Sequence, residues 1–395
     1  MRTKTYSIIL LMVFAGSISS HAQKYSSLQA NRFALDIYKQ FAAQDNQNIF
    51  FSPYSLSTAM GMTYAGAKGE TKEQIAQAFH FPIDDSDLHE KLGSMKSQLE
   101  RLSSEGVEVS IANQLWADEE YRFKWLYLWK VKRAYSAPIE RMAFRSKPND
   151  SRLEINSWVE EKTNNRIVDL LPKGSISDMT AMVLTNAIFF KGQWEEKFDE
   201  KKTAQAEFKA IKGSAVECKM MKRKGKYNLY KGNDIKLLEL PYDGKDFSML
   251  VLLPNEGTPL SKIEKGMKLE DLNHYISLMK QTEVQVSLPK FKFDAEYQMK
   301  PILAEMGMTN PFSNYADFTR MSGKSDLKID EIYHKAFVEV SEEGTEAAAA
   351  TAVVIVRKSA TVPEEFVANR PFMFIIRDNN SGNMLFVGRV TNPNS

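Results

Sequence analysis

The stretch Glu342-Glu343-Gly344-Thr345-Glu346-Ala347-Ala348-Ala349-Ala350-Thr351, running on through Ala352-Val353-Val354-Ile355-Val356 to Arg357-Lys358-Ser359, decides how this chain is read. It follows a strand-like run, Ala336-Phe337-Val338-Glu339-Val340, and carries small and apolar residues where a connection is normally short, polar and turn-rich. Three readings are open. The alanines favour a helix with Glu342, Glu343 and Glu346 near its positive N-terminus. Val353 to Val356 favour a buried strand. A third reading gives the segment two conformations, exposed in one state and a sheet strand in the other.

The 395 residues are 43% hydrophobic and 26% charged, an ordinary globular composition able to bury a large core. Length alone suits two or three domains. A formal net charge of +2 gives no field that calls for nucleic acid, and there is no acidic tail. At the N-terminus Arg2 and Lys4 precede an apolar run from Ile8 to Ala15, and Ser20-His21-Ala22 offers small residues where a signal peptidase reads. The spacing predicts a secretory signal over residues 1–22, cut after Ala22 and too short for a membrane span. The mature chain 23–395 is expected outside the cell, or in the periplasm if the source is bacterial. No membrane partner is expected. Cys218 is the only cysteine, so no internal disulfide is available and no lipid anchor can form at the cleavage site. Asn149-Asp150-Ser151 and Asn379-Asn380-Ser381 fit the glycosylation pattern, which matters only in a eukaryotic secretory pathway.

Apolar periodicity predicts helices over 27–44, from Ser52-Pro53 to Tyr64, 70–79, 87–102, 121–134, 151–164, 260–279 and 297–306. Strands are predicted over 107–116, 182–191, 206–208, 227–230, 235–240, 248–253, 283–288, 372–377 and 385–390, the last two around a turn at Asn379 to Gly382. No repeat period or low-complexity linker divides the chain. It reads as one large mixed α+β domain, helical first and sheet-rich after.

Common catalytic constellations are missing. After the signal only His80, His89, His274 and His334 remain, and His89-Glu90 has no second histidine four positions on. Gly323-Lys324-Ser325 looks like the end of a phosphate loop, but Phe318 stands where the earlier glycine belongs. There is no Gly-x-Ser-x-Gly elbow. The chain is read as no enzyme, with neither cofactor nor metal. Lys222-Arg223-Lys224-Gly225-Lys226 reads as a solvated hairpin, with contact to a polyanion as the alternative.

Several segments together resemble the serpin family: Asn48-Ile49-Phe50-Phe51-Ser52-Pro53-Tyr54-Ser55-Leu56-Ser57, Thr185-Asn186-Ala187-Ile188-Phe189-Phe190-Lys191-Gly192-Gln193-Trp194, Leu288-Pro289-Lys290-Phe291, the stretch Glu342 to Thr351, and Asn369-Arg370-Pro371-Phe372 through Leu385-Phe386-Val387-Gly388-Arg389-Val390. They follow the family's order over nearly the whole mature chain. The resemblance implies an α+β serpin fold, a single domain with three β-sheets, about nine helices and an exposed reactive-centre loop at about 342–365. Serpin loop insertion is itself a known case of strand addition and switching. A target protease attacks the loop and forms an acyl-enzyme; the loop then inserts into the main sheet and distorts the protease, which requires a metastable native state.

The residues suit insertion, because alternate side chains of a strand point to opposite faces. Thr345, Ala347, Ala349, Thr351, Val353 and Ile355 share one face and none is charged; Glu346 lies on the other with Ala348, Ala350, Ala352, Val354 and Val356. Gly344 lets the backbone turn. In the family's inhibitory members the cut follows the seventeenth residue counted from the glutamate two before the hinge glycine. With Glu342 as the first, that residue is Lys358, so the scissile bond is Lys358–Ser359, and Arg357 is the neighbour that serves if the register differs by one. A basic residue there suits trypsin-like serine proteases, whose pocket holds a carboxylate. Ser52, Ser55, Asn186 and His334 match the family's shutter beneath the sheet, and Trp194, Lys290 and Glu342 its breach. The expectation is a secreted, monomeric suicide inhibitor of trypsin-like proteases that is prone to polymerise. The alternatives are a non-inhibitory carrier or chaperone, an inhibitor of a cysteine protease with basic specificity, and a hydrolase whose motif escapes the search.

Overall fold

The computed structural model describes residues 25–102, 106–136, 139–345 and 362–395. The expected signal and the positions Glu346, Ala347, Ala348, Ala349, Ala350, Thr351, Arg357, Lys358 and Ser359 lie outside the described residues. The chain opens with α1 (Ser27–Gln44), β1 (Ile49–Phe51), α2 (Pro53–Tyr64), α3 (Gly69–Phe79) and α4 (Leu88–Leu102). Ser26 starts α1 through a capping box with Gln29, and Ser52 starts α2 by accepting from Ser55 N–H, with Pro53 in the first turn. Every residue of α2 is buried, so this helix is a core element with no solvent face.

The middle of the chain forms β2 (Val107–Asp118), α5 (Trp125–Tyr135), β3 (Glu140–Met142), α6 (Pro148–Lys162), β4 (Met182–Gln193), β5 (Ala204–Lys209), β6 (Ala215–Lys231), β7 (Ile235–Pro241) and β8 (Phe247–Pro254). Then come α7 (Leu260–Gly266), α8 (Leu269–Ser277), β9 (Lys280–Pro289), β10 (Phe291–Gln298), α9 (Met299–Glu305), β11 (Tyr333–Val340), β12 (Gly344–Thr345), β13 (Glu364–Val367), β14 (Phe372–Asp378) and β15 (Met384–Val390). Nine α-helices are thus found among the described residues.

Three expectations change. The single helix over 260–279 is two, because Met267 after Gly266 is extended. The helix expected from Tyr297 begins at Met299, since Tyr297 belongs to β10 and pairs with His334. The basic run 222–226 is no hairpin but the middle of β6, paired from Lys222↔Ser287 to Lys226↔Glu283. Its lysines alternate outward while Met221 and Tyr227 are buried.

Hydrogen bonding gathers the strands into two networks. One runs β1-β15-β14-β8-β7-β6-β9-β13 with β5 on β6; the long β6 joins what the resemblance treats as separate second and third sheets, pairing with β5 and β9 along its length and with β7 at its end. The other network runs β10-β11-β12-β4-β2-β3. At its centre β4 and β11 are parallel neighbours over only Thr185–Phe189 and Tyr333–Phe337, and farther along β12 lies between them.

Candidate functional site

Two clusters flank the seam between β4 and β11. At the far end, β12 continues the hinge stretch into the sheet, antiparallel to both neighbours, with Gly344 opposite Gln193, and Thr345 opposite Gly192 on one side and Val340 on the other. Gly344 has φ +156°, and a Cβ there would meet Gly192 O at 1.9 Å, so only glycine permits this approach. Thr345 is buried and its hydroxyl lies 2.7 Å from the Tyr242 hydroxyl. Gly344 and Thr345 are therefore already in the sheet, where the sequence reading has the stretch that contains them exposed until the loop is cut.

The seat is held from both sides. Trp194 N–H donates to Glu343 O at 2.8 Å, its indole N–H to Ser341 O at 3.0 Å, and Phe198 N–H to Glu342 O at 2.9 Å. Trp194 stacks on Tyr242 at 4.7 Å. Lys290 Nζ meets Glu342 at 2.5 Å, Thr203 donates to the other carboxylate oxygen at 2.7 Å, and Lys197 pairs with Glu343. Burial raises the Glu342 carboxyl, but the bonds from Lys290 and Thr203 outweigh it and hold the pKa below the ordinary range. The structure thus brings Trp194, Lys290 and Glu342 together.

The second cluster lies under the parallel seam. Ser52, Ser55, Asn186 and His334 are all fully buried. Ser52 N–H donates to His334 Nε2 at 3.1 Å, which fixes Nε2 as acceptor and leaves the ring proton on Nδ1, donated to Asn186 Oδ1. Asn186 Nδ2 donates to Ser55 Oγ at 2.9 Å and to Asn113 Oδ1 at 3.1 Å. Burial pushes His334 down to about 3, well beyond what its bond to Asn186 restores. A charged imidazolium would present a second N–H to the Ser52 amide, so the ring stays neutral. His334 on β11 and Asn186 on β4 are register partners, so parting the strands breaks this bond.

Sequence reasoning missed Asn113, Thr203, Lys197 and Tyr242. Asn113 is the register partner of Asn186 on β2, a relation that alternation alone does not disclose. Tyr242 follows β7 and bridges to Trp194; its adjacency to Thr345 comes from chain segments 103 residues apart.

The family model described as serpin (serine protease inhibitor) matches residues 28–393. Serpin B4 of Homo sapiens is 41% identical over 381 residues, covering 92% of this chain and 98% of that protein. The leukocyte elastase inhibitor of Bos taurus is 39% identical over 371 residues, with 92% and 98% covered. The crystal structure of uncleaved ovalbumin superposes with a TM-score of 0.85 at 32% identity, covering 94% of this chain and all of that one (100%). These relatives correct the bare label of a non-enzyme, replacing a negative with a positive description, inhibition of proteases. An α+β architecture of this strand order, matched along its length by serpin sequences and by a solved serpin-fold structure, means that the chain belongs to the serpin family of protease inhibitors.

Proposed function

We propose that the protein is a secreted suicide inhibitor of trypsin-like serine proteases, built as a single domain over 23–395 once residues 1–22 have been removed. The observation that carries this reading is β12: Gly344 and Thr345 occupy the gap between β4 and β11, so the first step of strand addition is built into the native molecule. The residues that follow are small or uncharged on the face continuing from Thr345. A protease whose nucleophile attacks the Lys358 carbonyl expels the Ser359 amine and remains as an ester on Lys358. The freed hinge then continues down the seam from Thr345. Lys290, Glu342 and Trp194 act as the breach that holds the upper end, and Ser52, Ser55, Asn186 and His334 as the shutter that must rearrange below.

Mixing the protein with trypsin tests this. A complex that survives boiling in detergent, near the summed mass of the partners, together with a released peptide beginning at Ser359, is the expected outcome. Cleavage without complex would overturn inhibition in favour of a carrier or chaperone. The names of the elastase-inhibiting relatives support a second reading, a protease that cuts after a small apolar residue among Ala352 to Val356. A complex with elastase and none with trypsin, the released peptide starting between Val353 and Arg357, would favour it. Secretion rests on the N-terminal pattern; among the described residues no helix is long and apolar enough to cross a membrane. A mature N-terminus at Gln23 is the corresponding check.

A further inference from the structure

Away from the sheet seam, α5 presents a face that its own packing does not explain. Tyr127, Val131 and Tyr135 anchor the helix in the core, with the Tyr135 hydroxyl 2.7 Å from His89 Nδ1 and Lys130 paired to Asp85 at 3.0 Å. On the opposite side Trp125 is 70% exposed, Leu126 58% and Trp129 52%. Trp129 lies four positions after Trp125 and three after Leu126, the spacings that set side chains next to one another on a helix, so the three form one apolar patch. One turn on, the same face carries exposed Lys132 and Arg133, the latter over the Trp129 ring at 5.1 Å. Exposed Arg122 and Lys124 precede the patch.

From Tyr121 to Ile139 there is no aspartate or glutamate. Of the nearest acidic residues in sequence, Glu119, Glu120 and Glu140, Glu120 is paired with Arg145; Asp326 takes the Tyr121 hydroxyl. The face is thus an apolar aromatic patch beside Arg122, Lys132 and Arg133, cations that form no ion pair among the described residues, while Lys124 donates to Thr319 O at 2.8 Å. Fold stability does not call for two exposed indoles, each of which leaves a large apolar surface in water. Indole rings partition to the boundary between acyl chains and headgroups, and basic side chains beside them pair with anionic phosphates.

We propose that the exposed face of α5, through Trp125, Leu126 and Trp129 with Lys132 and Arg133, is a peripheral docking surface for an anionic lipid membrane. The expectation that no membrane partner exists rests on overall charge and on spanning segments; a surface face is a separate property, and the charge here is local. A soluble polyanion would use the cations equally well but does not require two neighbouring indoles directed at solvent beside them; a protein partner would bury the indoles too, and it is the occupant left if no vesicle binds.

The test uses the full mature chain with vesicles of phosphatidylcholine alone or mixed with phosphatidylglycerol. Co-sedimentation with the mixed vesicles only, a blue shift of tryptophan emission and quenching by brominated acyl chains are expected. Trp125→Ala with Trp129→Ala, and separately Lys132→Gln with Arg133→Gln, should each lower partitioning at least about tenfold without shifting the unfolding midpoint. No partitioning at low salt overturns the proposal. So does binding that is not quenched by brominated lipid, that survives loss of both indoles, or that is reproduced by dissolved heparin with the indole emission unchanged, the last outcome assigning the face to a soluble polyanion. Quenching in the unsubstituted protein stands independently of whether the variants fold.

Discussion

At the scale of single residues, three side chains carry most of the consequence. Thr345 is already buried against Tyr242, so Thr345→Arg places a charge without a partner beside the seam, at a cost of several kcal/mol. The hinge should leave the sheet, and the variant should be cut by the target protease as a substrate; undiminished complex on a detergent gel would contradict this. His334 titrates near 6.5 when unfolded and about 3 when folded. Below about 6.5 the unfolded chain takes up a proton that the folded one refuses, so this contribution is complete above that pH and declines as the pH falls toward 3. His334→Gln should flatten the pH dependence of the urea midpoint between these limits; an unchanged slope would place the sensitivity elsewhere. Glu342 works in the same direction at lower pH: its depressed carboxyl contributes above its unfolded value, near 4.5, and the contribution is lost as the pH falls through the folded one.

At the scale of elements, β12 is the shortest strand and the most consequential. Gly344→Ala would drive a methyl group into the Gly192 carbonyl and should lift β12 from β4. A loss of about 1–3 kcal/mol is expected, with changed Trp194 fluorescence, because the indole N–H bonds Ser341 O; identical emission and inhibition would mean that the seat is dispensable. Much of the fold was legible at this scale. α1 matches its periodicity from Ser27 to Gln44, and β4 reads as a buried strand because Val183 to Phe190 are all internal and, apart from Thr185 and Asn186, apolar. The candidate clusters were legible only as far as the family resemblance carried them. Ser52 and His334 are 282 positions apart, and their bond depends on α2 starting over the β4–β11 seam. Asn113 escaped because a polar residue in an alternating strand looks like a solvent-facing one. The length of β6 escaped because Lys222 to Lys226 carries the composition of a turn while obeying the alternation of a strand.

At the scale of the whole molecule, the main sheet is closed at its centre by five paired residues on each side, Thr185–Phe189 against Tyr333–Phe337, with neutral His334 bridging to Asn186 across the seam. A seam of that extent should open before the molecule unfolds, and mild heating should yield loop-to-sheet polymers. Light scattering during a slow temperature ramp measures this; a chain that stays monomeric up to its unfolding transition would mean that the sheet resists opening. A last consequence concerns slack. β12 fixes Thr345 in one network and β13 fixes Glu364 in the other, paired with Val284 of β9. If the chain advanced down the seam from Thr345 to Val356, it would travel about 36 Å at 3.3 Å per residue. The eight steps back from Val356 to Glu364 span at most about 29 Å. An uncut loop is thus a leash that runs short before its strand is complete, unless β13 peels away from β9, and hydrolysis at a single bond lets it go.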